Sequence, residues 1–198
     1  ELVTKHGTFV AQGGKAPAAW LRKVAPSRVA EFQAIGARAL ARAGDCDGAL
    51  TLAKEAAATP MGATPKTTTV LVLARCEAWD EALALAGTLP EGPARTELEQ
   101  NLRTSRQALV ELGDADDLEA AIVRSRIGTL LLDRKRAFSA LVAHEEELLA
   151  DPQGALYFAR VAWAAGEDEA ARRALAKFVP EQERTAMLAT WSRELGRK

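Results

Sequence analysis

The stretch Ala43-Gly44-Asp45-Cys46-Asp47-Gly48-Ala49-Leu50 decides the reading of this chain. A glycine able to end one helix is followed at once by an acidic turn and then by a small alanine just inside a second helix. Upstream, Val29, Phe32, Ile35, Ala39 and Leu40 recur at steps of three, four and one, the apolar stripe of an α-helix, and Ser27 stands where it caps a helix beginning at Arg28. Downstream, a second helix runs from about Gly48 to Ala58 and is stopped by Pro60. The stretch therefore predicts a helical hairpin over about 28–58.

Related turns recur. Glu77-Ala78-Trp79-Asp80-Glu81-Ala82-Leu83 predicts a hairpin over about 66–88, with Thr64-Pro65 as its opening, a first helix from about Lys66 to Glu77 and a tight turn near Trp79-Asp80. Ala165-Gly166-Glu167-Asp168-Glu169-Ala170-Ala171 predicts another over 152–178, opened by Asp151-Pro152 with the aspartate as cap and the proline in the first turn. Between them lie two further features. Pro90, Gly92 and Pro93 precede a long helix over 94–112 that Gly113 closes, and a hairpin over 115–150 follows. In that hairpin Asp114 or Asp116 caps a helix from about Asp117 to Leu132, Asp133 marks the turn, and a second helix runs from about Arg134 to Ala150. Pro180 opens a closing helix over 181–195.

About ten helices and no convincing strand make the chain all-α. The one β-branched cluster, Thr67-Thr68-Thr69-Val70-Leu71-Val72, has no partner strand and is read as helix. Residues 1–26 differ from the rest. Gly7, Gly13, Gly14, Pro17 and Pro26 break any long helix there, and the segment reads as an irregular lead-in or linker with one short helix, Ala18 to Val24, carrying Trp20. The chain starts at Glu1 without a methionine, and the expectation is that upstream sequence has been trimmed or processed away. Residues 27–198 read as one helical-repeat domain.

Composition fits that reading. Hydrophobic residues make up 48% of the chain but aromatics only 5%, so alanine and leucine supply the core, and alanine lets helices approach closely. With 26 basic and 27 acidic residues nothing global attracts nucleic acid or a membrane surface. No apolar run approaches the roughly 20 residues needed to cross a bilayer. Two cysteines and two distant histidines, His6 and His144, supply no metal-ligand spacing, and no cofactor is expected. Gly13-Gly14-Lys15-Ala16 lacks the earlier glycine of a phosphate loop, with Phe9 in its place, and lacks the hydroxyl residue after the lysine. His144 beside Glu145-Glu146-Glu147 reads as a solvated helix face, and Arg134-Lys135-Arg136 is too short a basic cluster to argue for nucleic acid.

Ala49, Ala82, Ala137 and Ala171 mark equivalent points in the four hairpins. The first two are 33 residues apart and the last two 34, whereas 55 separate the middle pair because the long helix intervenes. A glycine, an acidic or aromatic turn, and an alanine at a period of about 34 resemble the second-helix motif of tetratricopeptide (TPR) repeats. The resemblance covers roughly 28–90 and 115–195; the family's large first-helix aromatic and its closing proline at fixed distance are mostly missing. It implies a right-handed α-solenoid of stacked hairpins, in which the first helices line a concave groove holding a peptide or helix of a partner protein.

In such a groove the recurrent first-helix position falls eleven residues before each marker alanine, at Arg38, Leu71, Arg126 and Arg160, with Arg75 one turn beyond Leu71. Guanidinium groups there imply a partner with an acidic segment or a C-terminal carboxylate, because arginine pairs with carboxylates in two parallel hydrogen bonds. Trp163, three residues after Arg160, points either into that groove or into the core, and the core is the favoured reading. Trp79 at its turn reads as core packing. Cys46 and Cys76 fall at neighbouring ends of successive hairpins; a bridge is geometrically conceivable, and two small buried thiols in a cytoplasmic protein is the favoured reading. The expectation is a non-catalytic protein-interaction module. Its rivals are a structural or regulatory helical domain packed against an upstream domain, and a helical sensor of a small ligand.

Overall fold

The computed structural model describes residues 28–196. The lead-in with Trp20 and His6, and the expected cap at Ser27, lie outside these residues. All regular elements among the described residues are helical, and no strand occurs there. The chain divides into two compact units, one ending at Arg106 and the other beginning at Gln107.

The first unit contains α1 (Val29–Arg42), α2 (Cys46–Ala57), α3 (Ala63–Arg75), α4 (Trp79–Ala86) and the start of α5 (Pro93–Leu112). The β-branched cluster lies within α3, as expected, and its threonines bond backward to carbonyls four residues earlier, so their hydroxyls are satisfied without leaving the helix. α1 packs on α2 and on α3, α2 also meets α3, and α3 pairs with α4. Ala34, Ala37, Ala41, Ala49, Ala53 and Ala56 are all buried between these helices, together with Val70 and Leu73. Side chains that end at Cβ leave the backbones close, which is how an aromatic-poor sequence fills a core. Arg106 closes the unit by an ion pair to Asp80, 2.7 Å away, which ties α5 to α4.

Cys46 and Cys76 are bonded as a disulfide, with Cα atoms 5.4 Å apart. This corrects the favoured expectation of two free thiols. Cys46 opens α2 and Cys76 caps the C-terminus of α3, so the antiparallel run of short hairpins brings the two ends together at one edge of the unit.

The second unit holds the end of α5, then α6 (Leu118–Leu130), α7 (Arg134–Ser139), a 3₁₀ turn at Val142–His144, α8 (Glu145–Leu148), α9 (Pro152–Ala165), α10 (Asp168–Ala176) and α11 (Glu181–Glu194). α9 is its centre, packing on α7, α8, α10 and α11. Phe158 is fully buried there and meets Phe138 with ring centroids 5.5 Å apart, within a core that includes Leu141, Leu148, Leu175, Leu188 and Trp191. Gly128 explains how α6 and α7 approach: a Cβ placed on it would lie 2.7 Å from the backbone nitrogen of Ala137. Only glycine fits that contact.

Three local expectations are corrected. The continuous helix from Arg134 to Ala150 is broken into α7, the 3₁₀ turn and α8. The break places Glu145, Glu146 and Glu147 in the first turn of a new helix, where negative charge is favoured, and Arg173 of α10 bonds Glu145 at 2.6 Å. The cap of α6 is Asp117, which accepts from the Ala120 amide at 2.8 Å, in place of Asp114 or Asp116. The turn expected at Trp79-Asp80 lies at Cys76–Ala78, and Trp79 already belongs to α4. By contrast, Asp151 caps α9 as expected, accepting from the amides of Gln153 and Gly154 at 2.8 and 3.1 Å, with Pro152 in the first turn.

The four hairpin turns have one construction. Gly44, Glu77, Leu132 and Gly166 each stand five residues before a marker alanine, and each has positive φ, at 87°, 62°, 55° and 87°. The next amide reaches back to the carbonyl five residues earlier: Asp45 to Leu40, Ala78 to Leu73, Asp133 to Gly128 and Glu167 to Ala162, at 2.7–3.0 Å. The left-handed residue's own amide donates to the carbonyl three residues back, completing a Schellman closure. The residue after it then serves as N-cap of the second helix, so one residue ends the first helix and the next begins the second. The four marker alanines are all buried at 0–1% exposure.

Leu132 adopts a left-handed conformation that disfavours any residue with a Cβ, and its side chain is 63% exposed, so it recovers little by burial. Leu132→Gly is expected to stabilise the protein by about 0.5–1 kcal/mol. The converse substitutions Gly44→Ala and Gly166→Ala are expected to destabilise by about the same amount, and urea midpoints of the three variants measure both signs.

Candidate functional site

Arg126 on α6 and Arg160 on α9 stand at equivalent places, each eleven residues before the buried alanine of its own turn, and both are exposed. The Tyr157 hydroxyl donates to the Ser125 hydroxyl at 3.1 Å, which sets α9 beside α6 next to these two arginines. Leu130 lies one turn beyond Arg126 and Leu156 one turn before Arg160, on the same helix faces, and they are 39% and 40% exposed. The two helices thus offer solvent two guanidinium groups flanked by two leucines. Among the described residues Arg126 makes no hydrogen bond or ion pair. Arg160 donates to the Glu194 carboxylate of α11 at 3.1 Å, an exposed pair with side chains 64% and 51% accessible.

In the first unit Arg38 is exposed on α1 and makes no hydrogen bond or ion pair among the described residues. Partial burial, and then the neighbouring charge of Arg42, draw its guanidinium below the usual arginine pKa. Leu71 at the equivalent place on α3 is half-buried. Arg75 is not held out to solvent. Its Nε donates to the Ala41 carbonyl at 2.9 Å, one of the terminal carbonyls of α1, where a helix carries partial negative charge. Arg75 therefore ties one hairpin to the next.

Trp163 leaves the set of exposed residues. It is 6% exposed, belongs to the core of the second unit and has the Arg172 guanidinium 5.6 Å from its ring centre, a cation–π contact. Sequence reading thus placed Arg38, Arg126 and Arg160 on the surface and overlooked Leu130, Leu156 and Glu194. Glu194 had a signal in the sequence: Arg126, Arg160 and Glu194 are spaced 34 and 34 residues apart.

Among the described residues no cluster of three or more histidine, cysteine, aspartate or glutamate side chains is placed to hold a metal, and no helix is long and apolar enough to cross a membrane. An open groove of about 340 Å³ between the end of α5 and the start of α6 is lined by Ala108, Leu112 and Val123 with Glu111, Asp117 and Glu119, and its carboxylates oppose in charge the face formed by Arg126 and Arg160. No protein-family model matches the chain, and no curated protein or solved structure does so either.

Proposed function

We propose that this chain is a non-catalytic protein-interaction module of TPR-like architecture that holds an acidic peptide or helix of a partner against the first helices of its hairpins. The observation that carries the reading is the pairing of Arg126 and Arg160 with exposed Leu130 and Leu156 on α6 and α9. Partner binding is a use for leucines exposed beside arginines on one pair of helix faces. The recurrent Schellman turn and the spacing of the marker alanines support the repeat architecture. The Cys46–Cys76 bond supports an oxidising compartment in place of the cytoplasm expected from the sequence, because cytoplasmic thiols are kept reduced.

The test is capture from the native extract by the immobilised protein, followed by measurement of affinity for the captured partner. Replacing Arg38, Arg126 and Arg160 together with alanine is expected to weaken binding at least about a hundredfold, since a hydrogen bond to a charged group contributes about 1.5–3 kcal/mol. Helicity and melting should stay unchanged because all three side chains are exposed. Equal affinity of the triple variant would remove these three arginines from the binding site.

A further inference from the structure

Glu194 closes α11 and follows Arg160 by the same 34 residues that separate Arg160 from Arg126, although it stands at the end of its helix and the two arginines stand mid-helix. The end of α11 brings this carboxylate to the basic face, where it accepts from Arg160 at 3.1 Å. Nothing in the packing of α11 requires the pair. Its buried contacts are made by Leu188 and Trp191, while Glu194 stands exposed one helical step away from Trp191. The interaction is therefore inexpensive to break, because an exposed ion pair contributes only about 0–1 kcal/mol.

We infer that Glu194 is an intramolecular occupant of a carboxylate site on Arg160, and that the partner is an amphipathic acidic helix whose own carboxylate displaces it. The inference rests on the interaction reading above and names the chemistry of that same face. Charge complementarity selects the occupant. Arg160 already holds a carboxylate, Arg126 offers a second guanidinium with no ion pair among the described residues, and Leu130 and Leu156 offer apolar surface beside them. A segment with two acidic residues and leucines on one face satisfies all four, and its second carboxylate reaches Arg126, which Glu194 does not hold. The partner thus gains a contact that the internal ligand lacks, and displacement follows from that difference.

The probe is a fluorescein-labelled amphipathic peptide of glutamate, leucine and alanine at helical spacing, with two controls: lysine in place of each glutamate, and alanine in place of each leucine. Anisotropy titrations compare the intact protein with Glu194→Gln, with Glu194→Lys and with Arg126→Ala/Arg160→Ala. Glu194→Gln should bind the acidic probe two- to fivefold more tightly than the intact protein, the range set by the small contribution of an exposed pair. Glu194→Lys should bind at least as tightly, and neither control peptide should gain. If the double arginine variant loses the probe while Glu194→Gln binds it no better than the intact protein, the Glu194 inference fails and the interaction reading stands. If the double arginine variant binds the probe as well as the intact protein does, the binding face itself is misplaced. Tighter binding of the lysine control would overturn the assignment of an acidic partner.

Discussion

Reducing the Cys46–Cys76 bond, or replacing both cysteines with alanine, should lower the stability of the first unit by about 3–4 kcal/mol, the chain-entropy value for a closed loop of about 30 residues. The loop encloses all of α2 and α3, so the released unfolded chain gains the freedom of a whole inter-hairpin segment. For a unit of this size the loss corresponds to a fall in melting temperature of more than about 10 °C. Melting with and without a reductant measures it, and a thiol assay on unreduced, unfolded protein should find no reactive thiol. The effect should be concentrated in α2 and α3 when read by hydrogen exchange, since these helices carry the bonded residues. An unchanged melting curve under reductant would mean that alanine packing alone holds the hairpins together.

Phe158→Ala should cost about 3–5 kcal/mol, the usual penalty for emptying a fully buried aromatic site. The ring lies at the middle of α9, the helix on which α7, α8, α10 and α11 pack, and its removal also strips Phe138 of its tilted partner. Alanines line much of the surroundings and have no side chain with which to move into the gap. Phe158→Leu keeps most of the volume and should cost less than about 1.5 kcal/mol. Urea unfolding of the two variants checks the ratio, and equal losses would show that the aromatic pair, more than the filled volume, holds the site.

How much of this was legible in the sequence depended on where the physical signal was local. The hairpin around Gly44 was readable because a helix stripe, a left-handed glycine and a capping aspartate are contiguous. The corresponding turn at Leu132 was harder to read, since a leucine carries no sign of its positive φ, and it is recognised only from the backbone. The break between α7 and α8 was missed for a similar reason. Glu145-Glu146-Glu147 suits a helix interior as well as a helix start, and the Arg173 of a distant helix that bonds Glu145 is not visible from the local sequence. Among the candidate site residues, Arg38, Arg126 and Arg160 came from their recurrent place eleven residues before the marker alanines, and all three are exposed. The fate of Arg75 did not, because its acceptor is a backbone carbonyl that every sequence possesses. Trp163 was correctly favoured as core, and the disulfide required knowing how closely two helix ends approach.

The shared turn leaves the four hairpins without slack. Since one residue closes the first helix and its neighbour opens the second, a single residue inserted there would rotate the second helix by about 100° about its axis. Ala137 would then swing out of its place against Gly128, and Ala49, Ala82 and Ala171 would leave their buried positions in the same way. Changes in chain length are therefore confined to the segments between hairpins, such as 58–62, 87–92 and 113–117, which carry no such double duty. The fold can diverge in the length of those connectors while each hairpin keeps its count of residues, and homologues aligned on the four marker alanines should show their gaps in these segments.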